Sequence, residues 1–487
     1  MNFTDYVFQF SKNLNKTAVI SKEELSYKKT YSNIITIEKM LRNKGLNNKD
    51  AALLISENSQ FFIQCYFAII KNGTVCVPIN PNSSIEHMEY IIKSLNIKNI
   101  FIQKKLLKYL PKVWDLDIYT EEDIEKLETI TEDHINEKTD QQDVAVILFT
   151  SGSTAKPKGV MLTHGNLIYN TNSIIQYLKL SEGDRIEVVL PFYYCYGTSL
   201  LHTHFRVGGS LVINNRFMFP ETVLQHINNY KCTGFAGVPS TFQILLKISD
   251  IKNRKFPSLR YITQAGGRMA NIFIEELFET LKGVDIYIMY GQTEATARLS
   301  YLPPYLLKEK MGSIGKGIPG TQLKVLNKEG IPVKPKEVGE IVAQGGNIMK
   351  GYFNDEEETK KVLKNGYLYT GDIGTVDEDG YIYILSREKN IIKSGGNRIS
   401  PKEVEDIILQ MDEIVECAVV GVEDDILGES VKAFVVLKDD NLNVNSIIEY
   451  CKSRLPNYKV PKYVEVLKTL PKNSSGKVML KELKEMK

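Results

Sequence analysis

Short apolar runs of strand-forming residues alternate with segments of helical period between about residue 50 and residue 291. The predicted strands are residues 100–103, 144–150, 185–190, 210–213, 234–238, 260–265 and 285–290. Because parallel strands need a crossover connection, usually a helix, this alternation predicts an α/β protein with largely parallel sheets that helices cover on both faces. Such sheets bind ligands at the carboxyl ends of their strands.

The pattern changes twice after Gly291. Glycine and proline residues first separate several short predicted strands, which indicates a small β-rich subdomain. Beyond Arg387, a capping box at residues 400–403 (Ser-Pro-Lys-Glu) begins a predicted helix, and a mixed α+β unit follows. We therefore expect an N-terminal domain over residues 1–388 and a small C-terminal domain over residues 389–487.

The composition is that of an ordinary globular protein. Of the 487 residues, 43% are hydrophobic and 25% are charged, which argues against a disordered or fibrous chain. The net charge of +2 gives no reason to expect binding to nucleic acid or to an anionic membrane. No apolar run approaches the roughly 20 residues of a membrane span, and the N-terminus, with Asp5, lacks the pattern of a secretory signal. With six scattered cysteines and no C-x-x-C pair, we expect a cytoplasmic protein.

A loop rich in small residues, Thr150-Ser151-Gly152-Ser153-Thr154-Ala155-Lys156-Pro157-Lys158-Gly159, directly follows a predicted strand. Its hydroxyl residues and glycines expose backbone N–H groups that can bind phosphate, and Lys158 adds positive charge. The loop lacks the Gly-Lys-Ser/Thr ending of a Walker A loop, so P-loop NTPase chemistry is not expected. A flexible surface loop is the alternative, which its length and its position after a strand disfavour.

Four further clusters contain residue types suited to a nucleotide. Tyr290-Gly291-Gln292-Thr293-Glu294 offers an aromatic face for a base, a hydroxyl for a phosphate and a carboxylate for Mg²⁺. Tyr369-Thr370-Gly371-Asp372 contains an aspartate that can bind both hydroxyls of a ribose. The other two clusters are residues 386–398 and 471–477, and the second ends in Lys477 on a glycine-flanked loop that can reach a distant site.

These five clusters, in this order, resemble those of the adenylate-forming (AMP-binding) superfamily of acyl-CoA synthetases, non-ribosomal peptide synthetase adenylation domains and beetle luciferase. The resemblance covers nearly the whole chain. It implies a large N-terminal domain of two doubly wound sheets plus a small β-barrel, and a mobile α+β C-terminal domain that closes over the active site. The implied reaction is attack of a carboxylate on the α-phosphate of ATP, which gives acyl-AMP and pyrophosphate, followed by acyl transfer to a thiol.

The resemblance also implies a role for each motif residue. Lys477 would bridge the carboxylate and α-phosphate oxygens, Thr293 would bond the α-phosphate, and Glu294, with Thr150, would hold Mg²⁺. Tyr290 would stack on adenine, and Asp372 and Arg387 would bind the ribose hydroxyls. The implied ATP- and AMP-binding residues are Thr150, Ser151, Gly152, Ser153, Thr154, Lys158, Gly267, Tyr290, Gly291, Gln292, Asp372 and Arg387.

The segment after Arg387 would serve the thiol-transfer step. The resemblance makes Lys389 the hinge, Gly396 the wall of the pantetheine channel and Arg398 a phosphate contact of the thioester-forming state. The acyl acceptor is either CoA or the phosphopantetheine of a carrier protein, and the residues favour neither alone. The loop at residues 394–398 resembles that of CoA ligases, whereas the short chain also suits a stand-alone acyl-AMP ligase that serves an acyl or peptidyl carrier protein.

The acyl pocket of a small carboxylic acid is implied along three segments. Its implied lining is Tyr194, Tyr196, Gly197, Phe235 and Gly266. Cys195 stands where amino-acid-activating relatives carry the aspartate that holds the ammonium group, so we do not expect an α-amino acid. Arg268 and Arg298 are unusual, and each either forms a structural ion pair or meets a second carboxylate or polar group of the substrate.

Three other interpretations are less consistent with the residues. A luciferase-like oxygenase needs a large aromatic pocket and O₂, which nothing in the sequence favours. A non-catalytic binding protein is expected to lose Lys477 or Glu294, and both are present. A metal site at His202-x-His204 is not expected, because residues two apart on a helix do not share a face and no third ligand is near.

Overall fold

The computed structural model describes residues 1–47, 50–111, 114–130, 139–150, 157–387, 390–438, 442–473 and 476–486. Strands β1 to β26 are, in chain order, Thr17–Ile20, Glu24–Ser26, Ala51–Ile55, Val75–Ile79, Asn99–Ile102, Asp117–Tyr119, Val144–Thr150, Lys158–Thr163, Arg185–Val188, Ser210–Ile213, Gly234–Gly237, Tyr261–Gln264, Asp285–Tyr290, Ser300–Leu302, Lys316–Gly317, Gln322–Leu326, Val338–Gln344, Gly351–Tyr352, Leu363–Lys364, Tyr367–Val376, Ile382–Arg387, Ile392–Ser394, Asn397–Ile399, Ile414–Asp424, Gly428–Leu437 and Tyr463–Val466. Helices α1 to α14 are Phe3–Phe8, Tyr27–Asn43, Gln60–Asn72, Ile85–Leu95, Glu121–Glu125, His164–Leu178, Cys195–Val207, Pro220–Asn229, Pro239–Ile248, Asn271–Thr280, Glu356–Val362, Pro401–Ile408, Val444–Lys452 and Leu480–Glu485.

Nine strands form the first sheet, in the order β15-β14-β13-β12-β11-β9-β10-β1-β2. Its central pairs, from β13 across to β1, are parallel, and antiparallel strands lie at both edges. The strand order reverses at β9, since β10 lies on one side of it and β11 to β13 lie on the other. A reversal of this kind leaves a crevice at the carboxyl ends of the strands, so the segments that follow β9, β11, β12 and β13 meet at one edge.

The second sheet has seven strands, in the order β18-β8-β7-β4-β3-β5-β6. It is parallel from β7 to β6, whereas β7 and β8 form an antiparallel pair. The predicted anion-binding loop connects these two strands. Its residues 151–156, which include Ser151, Gly152, Ser153 and Thr154, lie outside the described residues. The two sheets confirm the predicted α/β class.

The remaining strands form two smaller sheets. Five antiparallel strands, β16, β17, β19, β20 and β21, take the place predicted for the small β-barrel. Strands β22 to β26 form the last sheet, which helices α12 to α14 accompany in the C-terminal unit. The change from one sheet to the next falls between Arg387 and Ile392, an interval that contains the predicted domain boundary. Lys389, the predicted hinge, lies outside the described residues.

The local cap predicted for the C-terminal unit is not formed. Helix α12 begins at Pro401 as predicted, but the Ser400 side chain makes no capping hydrogen bond. Its hydroxyl instead donates to the carbonyl O of Leu385 at 3.1 Å, and Glu403 pairs with Lys459. Both groups of the predicted box therefore have tertiary partners that compete with the local cap.

The largest hydrophobic core joins helices α1, α2, α3, α6 and α7 to both parallel sheets. His202 and His204 are buried there, and their Nε2 atoms lie 2.9 Å from Tyr66 Oη and 3.0 Å from Tyr261 Oη. Burial lowers the pKa of His202 to about 3 and that of His204 to about 4. The two histidines thus act as neutral, hydrogen-bonded core residues. None of the helices in the described ranges is both long and apolar enough to cross a bilayer.

Candidate active site

A cleft of about 290 Å³ lies where the first sheet, the third sheet and the C-terminal unit meet. The first sheet contributes the segments that follow β11, β12 and β13, at the edge where its strand order predicts a crevice. Residues that line the cleft include Val238, Gly266, Gly267, Tyr290, Gly291, Asp372, Arg387, Lys402, Glu416 and Lys477. Four of the five sequence clusters therefore contribute residues to one cleft, although they are far apart in the chain.

Tyr290, Asp372 and Arg387 form one hydrogen-bonded group in this cleft. The phenol of Tyr290 donates to Asp372 Oδ2 at 2.7 Å, and Arg387 Nε donates to Asp372 Oδ1 at 2.9 Å. Asp372 lies opposite Arg387 in the β20–β21 pair, so the backbone register fixes this contact. Burial, together with the charge of Asp372, raises the pKa of Tyr290, which keeps its proton for that bond. Each carboxylate oxygen retains a second lone pair that can accept from a ligand hydroxyl.

The turn after β13 needs glycine at position 291. A Cβ on Gly291 would lie 1.8 Å from the carbonyl O of Ala297, and the turn is closed by the Leu299 N–H, which donates to the carbonyl O of Tyr290 at 2.9 Å. The close backbone approach fixes the direction of the next residues. Thr293 Oγ1 lies 3.6 Å from the thiol of Cys195, at the first turn of α7.

Glu294 belongs to a second polar group beside the cleft. The phenol of Tyr352 donates to Glu294 Oε1 at 2.9 Å, and the Lys158 ammonium lies 5.1 Å from the centroid of the Tyr352 ring. Lys158 also forms an ion pair with Glu358. Lys158, at the end of the anion-binding loop, and Glu294 therefore both contact Tyr352, a side chain that was not predicted.

Tyr352 and Glu358 come from β18 and α11, about which the sequence motifs say nothing. Tyr352 reaches Glu294 because β18 pairs with β8, opposite Val160. Glu358 reaches Lys158 across the 200 positions that separate them in the chain. No local pattern could have revealed either contact, since both depend on strand pairing between distant segments.

The residues around Glu294 fit a magnesium ion that is bound largely by phosphates. Glu294 Oε2 has no hydrogen bond from the described side chains, and Thr150 ends the neighbouring strand, with Oγ1 3.5 Å from the carbonyl O of Lys158. In the described ranges no group of three or more His, Cys, Asp and Glu side chains could hold a metal ion. Mg²⁺ commonly takes one or two carboxylates and obtains its other ligands from nucleotide phosphates and water.

Lys477 projects into the cleft from the C-terminal unit. Its loop is anchored on α9, where the Ser240 hydroxyl donates to the carbonyl O of Gly476 at 3.0 Å. Although Lys477 as a whole residue is exposed, desolvation in the cleft and repulsion by Arg387 outweigh attraction by Asp372 and lower the pKa of its ammonium to about 8. A lysine placed in this way retains a charge near neutral pH and loses little hydration when it meets an anion.

Gly396 and Arg398 lie outside this cleft. Both are exposed: Gly396 lies in the connection from β22 to β23, where it has φ +80° and a Cβ on it would meet nothing within 4 Å, and Arg398 lies in β23. The structure therefore brings Lys477, and not Gly396, to the nucleotide residues. That the two loops serve different steps stays a prediction.

The predicted acyl-pocket residues divide into three groups: one residue lines the cleft, three lie at the start of α7, and one lies in the hydrophobic core. Gly266 lines the cleft, and Gly267 beside it accepts from Gln264 Nε2 at 2.8 Å through its carbonyl. Tyr194 precedes α7, while Tyr196 and Gly197 lie in its first turn, and a Cβ on Gly197 would lie 2.0 Å from the carbonyl O of Pro191.

Phe235 was predicted to line the acyl pocket, and the structure corrects this prediction. Its ring is buried in the core, 5.7 Å from that of Phe242, and it is not part of the cleft wall. Side chains alternate across a strand, so Phe235 in β11 faces the covering helix α9. Val238, just beyond the strand, forms the wall instead.

Arg268 and Arg298 have different surroundings. Arg268 Nη1 lies 2.7 Å from Asp406 Oδ2, so it forms an ion pair with α12 of the C-terminal unit. Arg298 is buried, with 2% of its surface exposed, and its guanidinium lies 4.0 Å from the centroid of the Tyr196 ring. The structural ion pair that was one alternative for both residues is therefore found for Arg268. Arg298 has no ion pair with the described carboxylates.

The fold and the cleft define an enzyme that binds AMP. The chain matches the model of the AMP-binding enzyme family over residues 8–353 and that of the AMP-binding enzyme C-terminal domain over residues 403–477. It therefore belongs to the AMP-binding enzyme family. The resemblance seen in the sequence motifs is confirmed.

Relatives of this chain are CoA ligases. It is 31% identical to the long-chain-fatty-acid–CoA ligase of Bacillus subtilis (strain 168), over 97% of this chain and 92% of that protein. It is also 31% identical to the 2-succinylbenzoate–CoA ligase of the same organism, over 90% of this chain and 88% of that protein. These matches confirm the predicted class, an acid-thiol ligase that forms an acyl adenylate from ATP and a carboxylic acid.

Solved structures agree over the full length. An anthranilate CoA ligase in complex with anthranoyl-AMP superimposes with a TM-score of 0.92 at 25% identity, over 100% of this chain and 97% of that one. The o-succinylbenzoate CoA synthetase of Bacillus subtilis in complex with its acyl-adenylate intermediate gives 0.88 at 28% identity, over 100% and 98% of the two chains. The predicted fold class, including the C-terminal domain, is confirmed.

Proposed function

We propose that this protein converts a small carboxylic acid to its CoA thioester, with ATP and Mg²⁺. The observation that carries the proposal is the convergence of Lys477 with the Tyr290–Asp372–Arg387 group in one cleft. CoA is preferred as the acceptor because the relatives are named as CoA ligases. A carrier-protein phosphopantetheine stays the alternative acceptor.

Adenylation overcomes the poor reactivity of a carboxylate, which has no good leaving group. Asp372 accepts from the ribose hydroxyls, Arg387 stands beside them, and Tyr290 offers its ring to adenine. Thr293 donates to the α-phosphate, and the loop from Thr150 to Lys158 binds the β- and γ-phosphates. For Lys158 this requires its ammonium to share or leave Glu358, with which it is paired in the structure.

Glu294, with Thr150, would hold the magnesium ion. When bound, Mg²⁺ neutralises charge on the phosphates and so favours departure of pyrophosphate. Tyr352 keeps Glu294 in place through the hydrogen bond to Oε1, which leaves Oε2 free to face the metal. Both roles depend on the negative charge of the carboxylate.

Lys477 supplies positive charge where negative charge develops. Its ammonium interacts electrostatically with Asp372 and Glu294, and it lines the cleft in which we expect the substrate carboxylate to attack the α-phosphate. An ammonium that is already partly dehydrated in a cleft stabilises such a transition state without reorganisation of water. The C-terminal unit then has to move about the segment that contains Lys389, so that Gly396 and Arg398 replace Lys477 at the cleft.

The first prediction is acid-dependent exchange between ATP and pyrophosphate. Purified protein with Mg²⁺ and labelled pyrophosphate is expected to form labelled ATP only when a suitable acid from a panel of small aliphatic and aromatic acids is present. A reaction without acid is the control. Hydrolysis of ATP to ADP that no acid stimulates would contradict the proposed function.

The second prediction concerns Glu294→Gln. The change keeps the shape of the side chain and removes its charge, so we expect the rate of adenylation to fall by about 10²-fold or more, the loss that follows when a few kcal/mol of transition-state stabilisation is removed. The rate of acyl-AMP formation is measured at limiting Mg²⁺. Glu329→Gln, at an exposed turn, is the matched control and should keep the wild-type rate. An unchanged rate in Glu294→Gln would place the metal elsewhere.

A further inference from the structure

Arg298 is a buried cation that contacts Tyr196, one of the residues implied to line the acyl pocket. Only 2% of its surface is exposed, and its Nε has no hydrogen-bond partner among the described residues. Its backbone is rigidly held, because Asn170 Nδ2 and Asn347 Nδ2 both donate to its carbonyl O, at 3.1 Å and 2.8 Å. The side chain is therefore fixed at its base and incompletely satisfied at its charged end.

The neighbours of the guanidinium are neutral. It covers the face of the Tyr196 ring at 4.0 Å, and Tyr177 lies beside it, with its hydroxyl directed at Met289 Sδ, 3.1 Å away. In the described ranges no carboxylate oxygen lies within 4 Å of the Arg298 guanidinium, the limit for an ion pair. Arg260, by contrast, forms an ion pair with the buried Asp184, with 2.9 Å between Nη2 and Oδ1. A buried charge without a counterion is costly, since hydrogen bonds and ring faces do not neutralise it.

Cys195 connects the surroundings of Arg298 to the predicted α-phosphate cluster. Its thiol lies 3.6 Å from Thr293 Oγ1, and Tyr196, whose ring the guanidinium covers, is next to it in the chain. The positive charge of Arg298 lowers the pKa of the Cys195 thiol against the larger effect of burial, which raises it. Thr293 in turn belongs to the predicted α-phosphate cluster, where the reacting carboxylate is activated.

We propose that Arg298 binds a second carboxylate of the substrate, so that the acid activated by this protein is a dicarboxylate. This rests on the proposed function, because it assigns the far end of the same acyl site. The reacting carboxylate lies beside Thr293 and Lys477. The second carboxylate, carried on a short spacer past Cys195, supplies the anion that the guanidinium lacks.

The chemistry of the guanidinium favours this partner. Its planar N–H groups match the two oxygens of a carboxylate, and such charge-assisted pairs are about twice as strong as neutral hydrogen bonds. A site built around a buried polar group also rejects analogues that leave the group unpaired, by about 10²-fold or more. A monocarboxylate of the same length should therefore be a poor substrate.

The test compares matched acids with the wild-type protein. Pyrophosphate exchange is measured with the series from malonate to adipate, with the monocarboxylate of the same chain length, and with the corresponding monoamide. We expect kcat/KM to be about 10²-fold or more higher for one of the dicarboxylates than for its matched monocarboxylate and monoamide. Equal or better exchange with monocarboxylates overturns the inference and leaves the proposed function intact, whereas no exchange with any acid overturns the proposed function itself.

Variants at the arginine give a second readout. In Arg298→Met we expect the preference for the dicarboxylate over the monocarboxylate to fall by at least about 10-fold, through a higher KM, and Arg298→Lys should retain part of that preference. Arg254→Met, at a surface ion pair with Glu221, is the matched control and should keep the wild-type preference. Thermal unfolding of each variant identifies any loss of folding. A folded Arg298→Met with an unchanged preference overturns the inference.

Discussion

Lys477→Ala is expected to reduce acyl-AMP formation by about 10²- to 10³-fold, the loss found when one group that stabilises a developing charge is removed. Lys477 lies in the cleft with the nucleotide residues, and its ammonium interacts electrostatically with both Asp372 and Glu294. Thiol transfer from supplied acyl-AMP should stay near the wild-type rate. Both half-reactions are measured with the acid that the exchange assay identifies.

The matched control for this variant is Lys481→Ala. Lys481 lies four residues further on, in α14, and is largely exposed, so removing it tests the general loss of a lysine from the same unit. It should keep both half-reactions. If Lys477→Ala loses both steps equally, Lys477 supports the structure of the site and not the chemistry of one step.

Gly396→Leu is expected to do the reverse. In the adenylation arrangement Gly396 faces solvent, with nothing within 4 Å of an added Cβ, so acyl-AMP formation should be retained. In the thiol-transfer arrangement the same side chain would fill the predicted pantetheine channel. Since misplacement of a reacting group by about 1 Å can cost about 10²-fold, we expect thiol transfer to fall by about that factor. Single-turnover transfer from supplied acyl-AMP to CoA measures it.

Backbone strain has to be separated from blockage of the channel. Gly396 has φ +80°, a region that side chains other than glycine rarely adopt. Gly330→Leu provides the control, because Gly330 has φ +77° and equally open surroundings in a remote turn. Equal loss of both half-reactions in Gly396→Leu, or an equal effect of Gly330→Leu on transfer, would argue against two alternating arrangements of the C-terminal domain.

Much of the fold could be predicted because it depends on local periodicity. The alternation of strands and helices from β7 to β13 follows from apolar patterns that repeat within a few residues. The nucleotide cluster at residues 290–294 was found because its residues are contiguous and lie directly after a strand. Residues that are contiguous at the end of a strand stay together in the fold. The carboxyl ends of parallel strands in turn meet at one edge of the sheet, where ligands bind.

Contacts between distant segments could not be predicted in this way. The sequence left Arg268 and Arg298 as equivalent alternatives, yet one faces Asp406 of α12 and the other lies against a tyrosine ring. Phe235 was assigned to the pocket by its position in a segment, whereas the pleat of β11 turns it into the core. The cap predicted at Ser400 is also replaced by a contact with a distant segment, in which the Ser400 hydroxyl donates to the carbonyl O of Leu385.

The sequence by itself determined the α/β class, the five clusters and the family, because each depends on residues close together in the chain. Only the tertiary structure decided which of the clusters share a cleft in one arrangement. It also decided that Tyr352 holds Glu294, that Lys158 pairs with Glu358 and that a buried arginine lacks an acidic partner among the described residues. The physical reason is that charge compensation and hydrogen bonding depend on distance in space, which strand pairing and domain docking set independently of separation along the chain.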